Sequence, residues 1–248
     1  MRQPEAPQIL AIADAWWSQE LGCSVAELRP TATRVQEHRG RLAGYPGIWV
    51  LVLGEHPVIS LPSAALALSA RASAWSRAQL LAPGNLLGDL GTLGAGRIER
   101  IVGPASISYG LEGLYLEDAA RARLLTAADA PALEQLRAAC GNEAWEHGGS
   151  EHAAAGALFG TFDGARLVAV ASYQVWGESI AHIAIATAPA WRGRGFGKAA
   201  VALAARRALE AGLLPQYRTL RSNTASMAIG RHLCFIEYGF SVAVRLRQ

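Results

Sequence analysis

Cysteine is scarce in this chain, and the three cysteines, Cys23, Cys140 and Cys234, are odd in number and widely spaced. This set excludes a disulfide framework and a cysteine metal cluster, and it favours reduced thiols in the cytoplasm. Long hydrophobic runs are also missing, because no apolar stretch reaches the roughly 18 residues of a membrane-spanning helix. The N-terminus lacks the charged and apolar segments of a secretory signal. We therefore expect a cytoplasmic protein with no bound metal and no membrane partner.

Lysine is almost absent, since Lys198 is the only one and the other basic side chains are arginines. The formal net charge is only +3, and charged residues make up 17% of the sequence. Many arginines lie in the last third of the chain, but they do not form the aromatic-interleaved basic stripe of a nucleic-acid-binding surface. We interpret them as solvated surface and as contacts to a ligand phosphate, and we do not expect a nucleic-acid partner.

The hydrophobic content of 51% over 248 residues indicates a globular protein with one large or two small domains. The pattern divides it into an N-terminal module, residues 1–115, and a larger domain, residues 120–248. The sequence of this module predicts a smaller α/β unit, and it contains no recognised ligand-binding motif. Its predicted elements are a helix over 8–22, a β-hairpin from 48–53 and 57–61, helical or irregular sequence over 63–90, a flexible turn at Gly91–Gly96, a strand over 97–102 and, after it, a strand and turn between the modules reaching Tyr109.

The larger domain has a mixed α/β pattern. Asp163-Gly164 lies between two apolar alternating runs and predicts a hairpin. The predicted elements are helices over 130–140 and from 143 to 147, hairpin strands over 158–162 and 166–173, a strand over 180–187, a helix over 198–211, a strand over 217–221, a helix over 223–232 and a final strand over 241–246.

The most informative segment joins the 180–187 strand to the next helix and reads Arg192-Gly193-Arg194-Gly195-Phe196-Gly197-Lys198. Its glycines allow backbone amides to approach a ligand, and the following helix begins where free N–H groups and the positive dipole end meet an anion. The spacing is one residue too short for a Walker A loop, and Ala199 replaces the Ser or Thr that binds magnesium. The spacing also fails the dinucleotide fingerprint, so the loop predicts a pyrophosphate site of another kind.

This loop, Arg-x-x-Gly-x-Gly between a strand and a helix, resembles the acetyl-CoA loop of the GCN5-related N-acetyltransferase (GNAT) superfamily. A second segment supports the resemblance, because Asn223-Thr224-Ala225-Ser226 opens a helix and Leu233-Cys234-Phe235 follows before the last strand. It is similar to the family's Asn-x-x-Ser/Ala helix, which ends in Gly-Phe. Cys234 stands where the family has glycine, so the turn is expected to be made differently.

The resemblance implies an α+β fold with a mostly antiparallel sheet flanked by helices, whose strands part on either side of the loop to admit the pantetheine arm. It implies acetyl-CoA as co-substrate and direct transfer of the acetyl group to an amine. The cofactor-binding residues implied are Ala186, Thr187, Arg192, Gly193, Arg194, Gly195, Phe196, Gly197, Lys198, Asn223 and Ser226. Asn223 is equally well explained as a helix N-cap, and both roles are compatible.

The catalytic positions of the family are vacant in this sequence. The alignment places Ala181 where the histone-acetylating branch has a glutamate, and Gly230 where the usual tyrosine acid stands. Substitute candidates are Ser226, Glu143 and His182. Ser226 could act as a relay to sulfur. Glu143, like Glu146 and His147, could instead belong to a solvated helix face, and His182 could be a packed or surface histidine.

The acceptor implied is a small-molecule or protein amine, and the sequence does not choose among amines. A non-catalytic acyl-CoA-binding sensor is the alternative, because both familiar catalytic positions are vacant. The N-terminal module could be a degenerate acetyltransferase half that forms a wall of the acceptor cleft or a homodimer contact.

Overall fold

A computed structural model describes residues 6–93, 98–111, 113–148, 153–154 and 156–247. The helices are α1 (Ala6–Leu21), α2 (Ser69–Ala72), α3 (Arg77–Leu81), α4 (Leu87–Leu90), α5 (Ala130–Cys140), α6 (Asn142–Gly148), α7 (Phe196–Glu210) and α8 (Thr224–His232). The strands are β1 (Arg34–Glu37), β2 (Ile48–Val52), β3 (Val58–Leu61), β4 (Ile98–Tyr109), β5 (Ala122–Leu124), β6 (Leu158–Asp163), β7 (Arg166–Trp176), β8 (Ile180–Thr187), β9 (Leu214–Leu220) and β10 (Ile236–Leu246). No helix in these ranges is long and apolar enough to cross a membrane.

The contacts divide the chain into two compact units. Unit A consists mainly of residues 108–218 and 223–236, and unit B of residues 7–107, 219–222 and 237–248. The last strand therefore belongs to the unit formed by the N-terminal residues, although the sequence pattern assigns it to the domain over 120–248.

Unit A has strands in the order β9-β8-β7-β6-β5, antiparallel from β5 to β8 and parallel between β8 and β9. Alternate residues of these strands face opposite layers of helices. Ile183 and Ile185 pack in the cluster that contains α7, whereas Ala186 packs with Leu136 of α5 and Trp145 of α6. The sheet is thus covered by helices on both faces.

The sequence explains these elements locally. Thr126 and Asp129 form a capping box just before α5, and Gly164 takes a φ of 60° in the β6–β7 turn. Helix α7 buries a row of alanines, whose small side chains let it lie close to the sheet: Ala199, Ala200, Ala202, Ala204, Ala205 and Ala208.

Unit B has strands in the order β1-β3-β2-β10-β4. The hairpin of β2 and β3 is antiparallel, β10 pairs antiparallel with β2, and β1 pairs parallel with β3. Apolar side chains of these strands pack against the short helices between residues 63 and 90, with Trp75 at 1% exposure in this core.

The predicted mixed fold, with a mostly antiparallel sheet flanked by helices, is confirmed. The helix over 8–22, both hairpins and the elements around the glycine loop are present within a few residues of the predicted bounds. Strands β1 and β5 were not predicted, because each is too short to show a pattern of alternation. The strand predicted from 97 continues through Gly103 to Tyr109, and the predicted turn at Gly91–Gly96 lies partly outside the described residues.

One expectation about the turn after α8 is wrong. Cys234 replaces the family's glycine, yet it adopts a φ of 62°, the left-handed conformation that glycine would supply. The turn is therefore made in the same way, held by hydrogen bonds from the amides of Cys234 and Phe235 to the carbonyls of Arg231 and Gly230.

Candidate functional site

The glycine loop lies between the end of β8 and the start of α7. A short 3-10 turn, Pro189–Trp191, precedes it, and Gly193 and Gly195 take φ values of 76° and 84°. These left-handed conformations disfavour side chains with a Cβ, which is why the loop needs glycine there. Gly195 is the N-cap of α7, and no described side chain caps this helix. The amides of its first turn are thus left for an anion.

Gly197 allows α7 to lie directly against β8. A Cβ on this residue would meet Thr187 Oγ1 at 2.7 Å, which is too close for two packed atoms. The Thr161 hydroxyl on β6 donates a hydrogen bond to the Phe196 carbonyl, with an oxygen–oxygen distance of 3.2 Å. These contacts fix the start of α7 at the carboxyl end of β8.

Three arginines surround the loop. Arg192 and Arg194 are exposed; Arg192 Nε donates to the Thr187 carbonyl at 3.2 Å, and an Arg194 nitrogen lies 3.6 Å from the Asp163 carboxylate. Arg121 arrives from a distant 3-10 segment, Glu117–Arg121, and its guanidinium lies 3.4 Å from the place of a Cβ on Gly195. Arg121 is not predicted from the sequence, because no motif marks it.

Lys198 is not a free cation. Its Nζ lies 2.9 Å from the Asp118 carboxylate and 2.9 Å from His232 Nε2. The hydrogen bond from Lys198 lowers the pKa of Asp118, so the carboxylate stays charged and neutralises the ammonium group. Lys198 therefore ties the start of α7 to the end of α8, and Arg121 shares the same carboxylate at 3.8 Å.

Strands β8 and β9 part beside this loop. Their parallel pairing runs from Ile180 opposite Leu214 to Ile183 opposite Tyr217, and no further pair of described residues joins them. The end of β8, which includes Ala186 and Thr187, thus has β7 on one side and no strand on the other. The two strands are therefore unpaired from Tyr217 toward the glycine loop, and we call the space between them the β8–β9 opening.

Asn223 and Ser226 lie at the start of α8. Asn223 Oδ1 accepts a hydrogen bond from the Ser226 amide at 3.0 Å, so Asn223 is the N-cap of α8. Ser226 is half-buried. The capping role of Asn223 is present in the structure, and its role toward a ligand stays a prediction.

Tyr217 occupies the space beside Gly230, one of the vacant catalytic positions. A Cβ on Gly230 would lie 3.3 Å from Tyr217 Cδ1, and the Tyr217 side chain is only 3% exposed. Its hydroxyl is buried and makes no hydrogen bond of good geometry with a described residue. Burial raises the pKa of Tyr217 to about 12, and the interaction with the Ser226 side chain acts in the opposite direction.

His182 is held within the sheet of unit A. Its ring stacks on Trp176 with centroids 4.0 Å apart, and Nδ1 lies 3.1 Å from Gln216 Oε1. Burial, with the charge of Arg218, lowers the pKa of His182 to about 3. The ring is therefore neutral and a weak proton acceptor at physiological pH. Its neighbour Ala181 is fully buried.

Glu143 lies on α6, but its side chain and that of His147 are outside the described part of the structure. Glu146 is exposed. Helix α6 does approach β8, because a Cβ on its last residue, Gly148, would lie 2.7 Å from the Ile185 carbonyl. The catalytic roles of Glu143, His182 and Ser226 all stay predictions.

A separate open cavity of about 760 Å³ is lined by Arg121, Arg123, Phe162 and residues of α5. Within it Arg123 and Asp129 form an ion pair at 2.6 Å, and none of residues 193–198 lines it. The uncapped start of α7 is the better anion site, so we place the candidate site at the glycine loop.

Comparison with known proteins agrees with this geometry. The model of the acetyltransferase (GNAT) family matches residues 122–231. An acetyltransferase of the GNAT family from Colwellia psychrerythraea superposes with a TM-score of 0.54 at 13% identity, covering 99% of each chain. A GCN5-related N-acetyltransferase from Kribbella flavida superposes with a TM-score of 0.47 at 17% identity, covering 96% of this chain and 95% of that one.

No curated protein matches the sequence. At 13% identity the Colwellia psychrerythraea structure shows the fold alone, and the family match covers the segment from β5 to α8. Residues 122–231 are therefore similar to the acetyltransferase (GNAT) family.

Proposed function

We propose that unit A binds acetyl-CoA at the glycine loop and transfers the acetyl group to a primary amine. The observation that carries this proposal is the uncapped start of α7, which two left-handed glycines and three arginines surround at the mouth of the β8–β9 opening. This arrangement fits a pyrophosphate at the loop and an extended thioester arm in the opening. In the described residues no group of His, Cys, Asp and Glu side chains could hold a metal ion.

Different residues bind different parts of acetyl-CoA. The amides of Phe196, Gly197 and Lys198 bind the pyrophosphate, and Arg121, Arg192 and Arg194 add positive charge. At the free edge of β8, the N–H of Thr187 is offered to the pantetheine arm. The backbone groups of Ala186 face β7 instead, because the Ala188 N–H donates to the Val168 carbonyl and residues two apart in a strand point to the same side. Asn223 holds the start of α8 at the far side of the opening.

The reaction needs little more than positioning. A neutral amine nitrogen forms a bond to the acetyl carbon, the carbon–sulfur bond breaks, and its electron pair leaves with the sulfur of CoA. The amine proton passes to water, because His182 is too weak a base at neutral pH. Backbone donors near the acetyl oxygen stabilise the negative charge that develops there.

Two measurements test the proposal. Calorimetry should show acetyl-CoA binding with no added metal, and a panel of amines should contain members that release CoA, with an acetylated product identified by mass spectrometry. Tight binding without release of CoA over a broad panel would favour the alternative of a non-catalytic acyl-CoA sensor. The absence of binding would refute both.

A further inference from the structure

The Tyr217 hydroxyl is a buried polar group that makes no hydrogen bond of good geometry with a described residue, although the Ser226 side chain lies close to it. Buried polar groups are nearly always paired, so an unpaired one calls for an explanation, and a catalytic role is among the recognised ones. The other fully buried tyrosine of unit A, Tyr109, follows the rule, because its hydroxyl accepts a hydrogen bond from Gln216 Nε2 at 2.8 Å.

The position of Tyr217 indicates which groups its hydroxyl can reach. Its backbone lies opposite Ile183 in the last pair of β8 and β9, where the strands part. Its ring edge faces Gly230, and its hydroxyl is near Ser226, one helical turn closer to the start of α8. The ring therefore lies along α8 with its hydroxyl toward the first turn. A larger side chain at residue 230 would displace it.

Ser226 is the link between this buried hydroxyl and the opening. Its amide is held by Asn223 Oδ1, which fixes its backbone, and its side chain is half-buried whereas that of Tyr217 is buried. The Ser226 side chain interacts with the Tyr217 hydroxyl, so Ser226 is the candidate acceptor for a hydrogen bond from it. Tyr217 would then donate inside the protein, and the Ser226 proton would point outward.

We propose that Tyr217 is a positioning residue that donates a hydrogen bond to the Ser226 hydroxyl, so that Ser226 in turn donates to the sulfur of CoA as the thioester is cleaved. The proposal rests on the proposed function. The electron pair of the carbon–sulfur bond leaves on sulfur and is stabilised by the Ser226 donor, while the amine proton goes to water. Tyr217 and Ser226 both keep their protons. The high pKa of Tyr217 supports this, because a phenol titrating near 12 holds its proton more tightly than a thiol, which in cysteine titrates at about 8.5.

The test is a double-mutant cycle on the thiol of bound CoA. The pKa of this thiol is read from the ultraviolet absorbance of the thiolate in protein saturated with CoA. A hydrogen bond to the thiolate lowers the pKa, so Ser226→Ala should shift the bound thiol–thiolate equilibrium toward the thiol by about tenfold, and Tyr217→Phe by about threefold. In the Ser226→Ala background, Tyr217→Phe should add nothing, because the two residues act in series.

Controls separate this role from a structural one. Tyr217→Phe removes an unpaired hydroxyl and keeps the ring, so the variant should unfold at the same urea concentration as the parent or higher. Tyr109→Phe should leave the pKa of the bound thiol unchanged. Desulfo-CoA, which lacks the sulfur, should bind the parent, Ser226→Ala and Tyr217→Phe proteins equally well.

The proposal is overturned if Tyr217→Phe leaves the pKa of the bound thiol unchanged, or if its effect persists in the Ser226→Ala background, which would place Tyr217 in direct contact with sulfur. Failure of the parent protein to bind CoA refutes the proposed function instead, so the two failures are distinguishable.

Discussion

At the scale of single residues, the site depends on backbone conformation more than on reactive side chains. Gly193 and Gly195 take left-handed conformations that expose amides, and Gly197 brings α7 against Thr187. The one lysine of the chain is held by Asp118 and His232 instead. Affinity for a phosphate should therefore respond most to the glycines.

Gly195→Val tests this dependence. Valine at a φ of 84° is strained and adds a side chain where the ligand phosphate must approach, so acetyl-CoA affinity should fall at least about tenfold in calorimetry. Gly212→Val is the matched control, because Gly212 follows the other end of α7 with a φ of 74° and open space around it. Equal affinities in the two variants would remove the loop from the site.

Cys234 gives a stability prediction at the same scale. A non-glycine residue in the left-handed region costs about 1–2 kcal/mol. Glycine avoids this cost but loses about 0.5–1 kcal/mol, because its chain entropy in the unfolded state is greater. Cys234→Gly should thus raise the free energy of unfolding by up to about 1 kcal/mol in urea titration. Cys140→Gly, at the end of α5, should lower it; a loss in Cys234→Gly would show that the turn carries no strain.

At the scale of elements, β7, β8 and β9 hold a polar network of Trp176, His182 and Gln216, which Tyr109 at the end of β4 joins. Because the pKa of His182 is lowered, the stability that this network contributes depends on pH. Between its ordinary value of 6.5 and about 3, the unfolded chain binds a proton at His182 that the folded protein does not. Its contribution to stability is therefore present above 6.5 and is lost as the pH falls toward 3.

His182→Gln should weaken the dependence of the free energy of unfolding on pH. The parent's free energy of unfolding should fall more steeply below pH 6.5 than the variant's, by at most about 1.4 kcal/mol per pH unit for one proton. His56→Gln, at an exposed loop position of unit B, is the control and should keep the parent's slope. Identical slopes in the parent and His182→Gln would show that His182 is not held neutral by its surroundings.

At the scale of the whole molecule, the reaction should follow the acceptor's protonation. His182, at about 3, and Tyr217, at about 12, do not titrate in the neutral to mildly alkaline range. The kcat/KM for an alkyl amine should therefore rise with pH and track the free-amine fraction, and the midpoint should move with the pKa of the amine. A profile that stays fixed when the amine is changed would reveal a protein base.

The assignment of β10 to unit B gives a second test at this scale. Val242 is fully buried opposite Val50 of β2, in the same core as Trp75. Val242→Ala should cost about 1–3 kcal/mol and lower amide-exchange protection in β2 and β3 more than in β6 and β7. Val175→Ala, at 39% exposure on β7, should change neither. Loss of protection centred on β6 and β7 would place β10 in the other unit.

The sequence alone determined the features that depend on near neighbours. The spacing of glycines and arginines between an alternating strand and an alanine-rich helix predicts the loop, Asp163-Gly164 predicts the β6–β7 turn, and Asn223 predicts the start of α8. These signals are backbone geometry and capping, which act over a few residues and are therefore visible in the chain itself.

Only the tertiary structure decided which distant side chains meet. Arg121 lies beside Gly195, Tyr217 fills the space at Gly230, and Val242 enters the core of unit B. Each contact joins two segments that are distant in the sequence, and the residue pattern of each segment alone is compatible with a different partner. Sheet order and helix packing bring these side chains together. Apolar burial stabilises any close-packed arrangement, so only the assembled fold selects one of them.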